Sequence, residues 1–258
     1  MKNTRREFLK VAGLAALGVG ATSSALAYLP HPHTYDQRPE ALQAKRWGMV
    51  IDTRKLRTGK DLEPLIKACH EWHNVPMIPR DKRHQEIKWI WYDSFHHVFP
   101  NKHNDYPAHS VHEQPYLLLC NHCAEPPCVR VCPTKATFKR EADGLVLMDM
   151  HRCIGCRFCM AACPFGARSF NFMPPREYIA DTREEYPTRM RGVVEKCNFC
   201  AERLAEGMLP ACVEASNGAL IFGDLEDPDS EIRHILAENF TIRRKPDLGT
   251  NPSVFYII

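Results

Sequence analysis

Outside its first 27 residues the sequence lacks a long apolar run, an excess of positive charge and a glycine-rich phosphate loop. After residue 27 no apolar run approaches the about 18–20 residues that span a bilayer, so the remaining chain is expected to be soluble. Residues 1–27 hold four basic residues and one acidic residue, which leaves 30 basic and 30 acidic residues elsewhere. This balance gives no reason to expect a nucleic-acid partner. A glycine-rich phosphate loop and a nucleophile–base arrangement are also lacking, so no catalytic residue is predicted.

Cysteine is the residue present in excess. The chain has 12 cysteines, far above ordinary usage for its length. One run has the spacing C-x2-C-x2-C-x3-C-P and consists of Cys153, Cys156, Cys159, Cys163 and Pro164. This is the bacterial ferredoxin pattern for a 4Fe–4S cluster, in which the fourth cysteine ligates a different cluster from the first three. The run therefore predicts a partner run elsewhere in the chain.

The partner run lies at residues 120–133, with the spacing C-x2-C-x4-C-x3-C-P. Short strands are predicted at 136–139 and 144–149 after this run, and at 167–172 after the other, so the chain contains an internal repeat. Exchanging the fourth cysteines defines two ligand sets. The first set is Cys120, Cys123, Cys128 and Cys163. The second set is Cys153, Cys156, Cys159 and Cys132.

A third copy of the motif is incomplete. It keeps three cysteines, but Ser216 stands at the fourth position, before a strand predicted at 218–223. Cys69 ends a predicted helix after a strand predicted at 47–52, as the last cysteine of a run does. At the usual motif spacing, the three ligand positions before Cys69 are occupied by Gly59, Leu62 and Leu65, which cannot ligate iron. Under the exchange rule these four losses belong to one cluster. The survivors form the third set: Cys69, Cys197, Cys200 and Cys212. All 12 cysteines are then used in three 4Fe–4S clusters.

Two other uses of the cysteines are considered. A disulfide framework fits an even count in an exported chain, but such scaffolds do not repeat the ferredoxin spacing. Structural zinc is a better alternative for the Cys197-x2-Cys200 pair, because both chemistries use C-x2-C. Metal analysis separates these alternatives, since three cubes imply about twelve iron atoms per chain.

Residues 1–27 are interpreted as a twin-arginine signal peptide. Arg5 and Arg6 precede an uncharged, mostly small and apolar stretch at 11–27, which ends in the small-x-small pattern of a cleavage site. This route exports folded proteins, which suits a chain that receives its clusters in the cytoplasm. It predicts a periplasmic protein at the surface of the cytoplasmic membrane. A short membrane anchor or a chance basic start is the alternative.

The predicted fold class is α+β, with duplicated ferredoxin-like modules of the bacterial dicluster type and long irregular insertions. The predicted segments are a signal peptide at 1–27, a linker at 28–46, a degenerate first ferredoxin-like half plus insertion at 47–115, a dicluster ferredoxin domain at 116–190, a C-terminal cluster segment at 191–223 and a docking tail at 224–258. The apolar end at 253–258 is expected to dock either as a strand on its own sheet or against a membrane partner.

Residues 70–115 are interpreted as an insertion that covers a face of the core, with a regular pattern only at 86–92. Its many histidines suggest a metal or haem site, but none forms an HExxH or Cys–His ligand motif, so surface or core-edge positions are favoured. They are His70, His73, His84, His96, His97, His103, His109 and His112. Four residues near the cysteines are candidates for tuning the clusters, with surface or fold-stabilising roles as the alternative. These are His122, Glu125, Arg157 and Arg168.

The motifs resemble the four-cluster ferredoxin-type electron-transfer subunits that serve molybdopterin oxidoreductases and membrane quinone-interacting complexes. Within that group the chain is most similar to the periplasmic iron–sulfur subunits of DsrMKJOP-type complexes of sulfur-metabolising microbes. The similarity covers most of the chain except 70–115 and is carried by the twin-arginine start and by residues 50–60, 153–164, 189–200, 212–223 and 242–258. The missing fourth cluster departs from the broader group and agrees with the narrower one.

The resemblance implies an electron relay and not a catalyst. It implies an NrfD-like integral membrane partner that exchanges electrons with menaquinone, and a multihaem cytochrome c partner on the same side of the membrane. Cubes held by four cysteines have no open iron site for a substrate, which favours a relay independently. The alternatives are a subunit that connects a molybdopterin oxidoreductase to quinone and, more distantly, a structural zinc protein.

Overall fold

The computed structural model describes residues 39–101 and 108–258. The predicted signal peptide, residues 28–38 of the predicted linker and His103 lie outside the described residues. Helices and small sheets alternate without a regular βαβ order, so the chain has the predicted α+β class. None of the helices in the described ranges has the length and apolar character needed to cross a bilayer.

The described elements are short, as expected for a chain rich in cysteine loops. The strands are β1 (Trp47–Asp52), β2 (Ile90–Asp93), β3 (Tyr116–Leu119), β4 (Thr137–Lys139), β5 (Val146–Met148), β6 (Ser169–Phe170), β7 (Val194–Glu195), β8 (Leu220–Asp224), β9 (Thr241–Ile242) and β10 (Val254–Ile257). The α-helices are α1 (Gly59–Trp72), α2 (Phe95–Val98), α3 (His109–Glu113), α4 (Pro127–Arg130), α5 (Phe158–Ala162), α6 (Ala201–Leu204), α7 (Ala211–Glu214) and α8 (Glu231–Glu238).

The largest described sheet is built around β1, in the order β8-β1-β10-β9. All six residues of β1 are buried, because both faces of this strand are covered. Met49 and Ile51 face the main apolar core, while Val50 packs with Ile232 of α8. The parallel pairing of β1 with β10 decides between the two expectations for residues 253–258: the apolar end docks on its own sheet.

The segment at 70–115 does more than cover the core. Trp89, Val98 and Phe99 are buried members of the main apolar cluster, and β2 pairs antiparallel with β3. The regular stretch predicted at 86–92 is displaced, since β2 begins at Ile90 and ends at Asp93. The segment therefore does not only cover the core, as the sequence suggested, because its own side chains form part of the interior.

The strands predicted after the two cysteine runs are present but shorter. β4 and β5 form an antiparallel hairpin, and its turn is closed by an ion pair in which Arg140 Nη2 lies 2.6 Å from Asp143 Oδ2. β6 pairs with β7, so the chain after the second run is joined to the segment that leads into the third. The β4–β5 hairpin and the β6–β7 pair thus begin shortly after the first and second cysteine runs.

Candidate iron–sulfur cluster sites

The cysteine loops turn sharply through left-handed backbone conformations. Positive φ angles occur at His122, Arg157, Phe199 and Cys200, each inside or at the end of a C-x2-C segment, and at Gly155. Such residues let a short loop direct successive thiols toward one point. All 12 cysteines are free, which agrees with ligand roles and not with a disulfide framework.

The first set converges on one cavity. Cys120, Cys123, Cys128 and Cys163 all line it, although Cys163 belongs to the other run. Burial raises the pKa of Cys123 to about 12, and the neighbouring charges of the other three cysteines add to this effect. The structure therefore brings together the four residues that the exchange rule groups.

The third set joins the most distant parts of the chain. Burial raises the pKa of Cys69 well above its ordinary value, with further contributions from Cys197, Cys200 and Cys212. Cys69 projects from the last turn of α1, which packs against α7, the helix that carries Cys212. Each of these thiols is almost fully buried.

The second set is more exposed. Burial raises the pKa of Cys159, and the nearby Cys153 adds to this shift. Cys132, Cys153 and Cys156 are only partly buried. α4 packs against α5, which places the end of the first run beside the second run. The membership of Cys132 and Cys156 rests on the spacing of the two runs and stays a prediction.

The donor sets fit an iron–sulfur cluster. Burial raises these pKa values most, and repulsion between thiolates held close together raises them further. A bound metal centre supplies the positive charge that makes the thiolate form stable. Zinc fits the third set by the same reasoning, since four cysteines also form a structural zinc site.

Cysteines of neighbouring sets act on one another electrostatically. Cys120 of the first set contributes to the raised pKa of Cys197, which belongs to the third set. Cys128, also of the first set, contributes to the raised pKa of Cys159 in the second set. The first set therefore has a near neighbour in each of the other two sets.

The positions that a fourth cluster would need are filled. Leu62 and Leu65 are buried in the main core. Ser216 is also buried, and its Oγ donates to the carbonyl of Val213 at 2.7 Å and accepts from the N–H of Leu220 at 3.0 Å. A satisfied hydroxyl and two packed leucines leave this place as ordinary core.

The structure separates the four tuning candidates into two groups. Glu125 and Arg157 are exposed. His122 and Arg168 are buried, so a surface role is wrong for these two. His122 accepts from the N–H of Val146 through Nδ1 at 3.1 Å, which leaves Nε2 to donate to the carbonyl of Cys197 at 3.3 Å. Its ring also stacks on Phe199 at 3.8 Å, so His122 connects the loops of the first and third sets.

Sequence reasoning missed a buried pair beside the third set. His73 is buried, which corrects the expectation of a surface or core-edge position for this histidine. Its Nε2 lies 2.7 Å from Glu202 Oε1 and its Nδ1 lies 2.9 Å from the Cys69 carbonyl oxygen. His73 follows Cys69 by one helical turn, a spacing that could have indicated a shared face. Elsewhere His96 Nε2 and His112 Nδ1 lie 2.8 Å apart on the surface.

Gly155 provides a direct test of the second loop. Its φ is +70°, and a Cβ at this position would lie 2.4 Å from the carbonyl oxygen of Gly192. Gly155→Ala is expected to distort the Cys153–Cys156 turn and to lose the second cluster. Iron analysis checks this, with about eight iron atoms per chain expected instead of about twelve. Gly166→Ala is the matched control, since its φ is also positive but nothing lies within 4 Å of an added Cβ. Equal iron content in both variants would contradict the prediction.

The fold and the cysteine sets define an iron–sulfur electron-transfer protein of the ferredoxin type. Residues 115–173 match the family of the 4Fe-4S dicluster domain. The Hdr-like menaquinol oxidoreductase iron–sulfur subunit 1 of Archaeoglobus fulgidus is 41% identical over 275 residues, covering 98% of this chain and 97% of that protein. The menaquinone reductase iron–sulfur cluster-binding subunit of Nitratidesulfovibrio vulgaris is 35% identical, covering 82% of this chain and 88% of that protein.

A third similar protein is a subunit of the tetrathionate reductase of Salmonella typhimurium, which is 34% identical over 100% of this chain and 89% of its own length. The chain therefore belongs to the 4Fe–4S ferredoxin-type iron–sulfur subunits of menaquinol- and polysulfide-type oxidoreductase complexes. These relatives are electron-transfer subunits and not the catalysts of their complexes, which confirms the prediction that the chain is not itself an enzyme.

Proposed function

We propose that the chain is a DsrO-like subunit of a DsrMKJOP-type complex of sulfur metabolism. It holds three 4Fe–4S clusters and relays electrons between an NrfD-like quinone-interacting membrane subunit and a multihaem cytochrome c. The observation that carries this proposal is that cysteines from separate parts of the chain meet in the buried first and third sets. We place the first set between the other two, which gives a row of three. When bound, the clusters supply one-electron transfer without an open iron site.

The protein's own residues hold the clusters and shield the first and third of them from water. The ligands proposed for the first cluster are Cys120, Cys123, Cys128 and Cys163, those for the second are Cys153, Cys156, Cys159 and Cys132, and those for the third are Cys69, Cys197, Cys200 and Cys212. Apolar side chains close around the first and third sets, while His122 connects their loops. This rigid packing keeps neighbouring sets at fixed separations.

The protein surface around the second set, at one end of the row, is proposed as a docking surface. Exposed apolar residues lie on or beside its loops: Val131, Ile154, Phe158, Phe172 and Met190. Exposed arginines surround them: Arg130, Arg152, Arg157 and Arg191. Exposed apolar side chains accompanied by polar ones are typical of an interaction site. We assign this end to the membrane subunit and the opposite end, at the third set, to the cytochrome.

The proposed location is the periplasmic face of the cytoplasmic membrane, reached through a twin-arginine signal at residues 1–27. The support for this is the sequence pattern of that segment. The segment boundaries predicted from the sequence are kept as part of the proposal. The largest sheet combines strands from the segments predicted at 47–115, 191–223 and 224–258, so these three are proposed to fold together.

A second candidate is the electron-transfer subunit of a molybdopterin oxidoreductase. The similarity to the tetrathionate reductase subunit along the whole chain favours a reductase complex of this kind. Affinity purification of the native complex distinguishes the two. If a membrane subunit and a separate c-type cytochrome are both recovered, the first proposal is supported. If a large molybdenum-containing subunit is recovered and c-type haem is absent, the first proposal is overturned in favour of the second.

The docking surface predicts which variant loses the membrane subunit. Phe158→Asp places a charge in the apolar surface beside the second set and is expected to abolish co-purification of the membrane subunit while keeping full iron content. Phe240→Asp is the control, because Phe240 is 81% exposed next to β9 and away from the cysteine runs in sequence. Retention of the membrane subunit by Phe158→Asp, or its loss from both variants, would contradict the assignment of this end.

A further inference from the structure

Arg168 is a buried cation placed between two cysteine sets. Its charge acts on the thiols of Cys128 in the first set and Cys159 in the second. Thr137, which accepts a hydrogen bond from the guanidinium, directs its own N–H to Cys132 Sγ of the second set at 3.4 Å. Nη1 donates to Thr137 Oγ1 at 3.0 Å and lies 3.7 Å from Met148 Sδ. The residue also lines the cavity that the four cysteines of the first set share. One side chain therefore reaches both ligand sets.

The surroundings of Arg168 leave part of its charge without an oxygen partner. Nη2 is buried and has no hydrogen-bond partner of normal geometry among the described residues. Within the same part of the chain, the oxygen partner of the guanidinium is the neutral Thr137 hydroxyl, and no carboxylate pairs with it. An unpaired buried cation is costly, so it needs nearby negative charge. Burial lowers the pKa of Arg168, but the surrounding cysteines Cys128, Cys159 and Cys120 together raise it by more.

We propose that Arg168 is a shared positioning residue that raises the reduction potentials of the first and second clusters together. This inference rests on the ligand sets of the proposed function. A reduced cluster carries one more negative charge than an oxidised cluster, so a fixed cation nearby favours the reduced form. Because the same side chain lines the cavity of the first set and its charge acts on Cys159 of the second, its removal shifts both potentials.

Other arginines provide controls for this selectivity. Arg244 is buried, interacts with Cys163 of the first set, and donates to the Val98 carbonyl at 3.2 Å. Its removal is expected to affect the first cluster alone. Arg157 is exposed beside the second set, where it packs over Phe170. Solvent screens its charge, so its removal is expected to have little effect on any potential.

The test is a potentiometric titration of the complete protein, followed by electron paramagnetic resonance. A Cys69→Ala variant assigns the signal of the third cluster by removing it. Arg168→Met is expected to lower the reduction equilibrium constants of the first and second clusters at least tenfold each, which is 59 mV for a one-electron couple. The third cluster is expected to change by less than this. Arg244→Met shifts only the first cluster, and Arg157→Gln shifts none.

The outcomes separate this inference from the proposed function. A wild-type protein with fewer than three clusters would contradict the proposed function. A wild-type protein with three clusters, combined with an unchanged potential of either the first or the second cluster in Arg168→Met, would overturn the role of Arg168. If Arg168→Met does not retain its clusters, Arg168→Lys replaces it. Lysine keeps the charge but loses the planar donor fork, so smaller downward shifts in both clusters are expected, and no shift in either would contradict the inference.

Discussion

Cys69→Ala is expected to lose the intact third cluster while the other two remain. Cys69 lies far along the chain from the other three proposed ligands, yet its buried thiol interacts with Cys197, Cys200 and Cys212. Three thiolates leave one corner of the cube without a protein ligand. Iron analysis should therefore fall from about twelve atoms per chain to between about eight and eleven, the upper value corresponding to a cluster that loses one iron.

The matched control for this experiment is Leu65→Ala. Leu65 lies on the same helix, one turn before Cys69, and is equally buried. Removing it creates a cavity that costs on the order of 2–5 kcal/mol of stability, but it removes no ligand. The control is expected to unfold at a lower temperature and to keep about twelve iron atoms. Full iron content in Cys69→Ala, or equal losses in both variants, would contradict the assignment of Cys69.

Double substitutions are expected to reveal the exchange of the fourth cysteines. Cys132 and Cys156 belong to one proposed set, so the Cys132→Ala/Cys156→Ala variant should lose only one cluster and keep about eight iron atoms per chain. Cys163 and Cys156 belong to different sets, although they lie in the same run. The Cys163→Ala/Cys156→Ala variant should therefore lose two clusters and keep about four iron atoms.

These two variants serve as controls for each other, because both remove two cysteines and share Cys156→Ala. Ligands of one cluster act as a unit, so their losses do not add, whereas losses from separate clusters do. If each run held its own cluster, the iron contents would be reversed. Acid-labile sulfide should follow iron in both variants. Since metal binding contributes to folding, the counts are made on soluble protein after gel filtration.

The cysteine chemistry could be predicted from the sequence because iron–sulfur ligation imposes fixed spacings. The C-x2-C loops are local, and the exchange rule adds long-range information that ordinary patterns lack. The exchange rule linked Cys69 to the third set, and the structure places Cys69 near Cys197, Cys200 and Cys212. The hairpin at residues 137–148 was also predictable, because its turn residues Asp143 and Gly144 are local signals.

The pairing of β1 with β10 could not be predicted in the same way. Nothing in an apolar strand of four residues specifies which edge it joins, and parallel strands need no local turn between them. The sequence therefore left docking on a partner as an equal alternative for residues 253–258. The structure resolves this through the register of Ile51 with Tyr256.

The surroundings of the cysteines were the least predictable part. Arg168 and His73 are polar residues whose burial depends on tertiary packing and not on local pattern. Trp89 was assigned to a covering insertion, but its Nε1 donates to the buried carboxylate of Glu195 at 2.6 Å. Glu195 also forms a buried ion pair with Arg189. Partners so distant in sequence leave no periodic signal, because their positions follow from the assembled core.

Combined Mössbauer spectroscopy and metal analysis of the purified full-length protein test the central claim most directly. The account predicts about twelve iron atoms and about twelve acid-labile sulfides per chain, all in 4Fe–4S clusters, with no stoichiometric zinc. About eight iron atoms together with one zinc ion per chain would contradict it, because the third set would then be a structural zinc site.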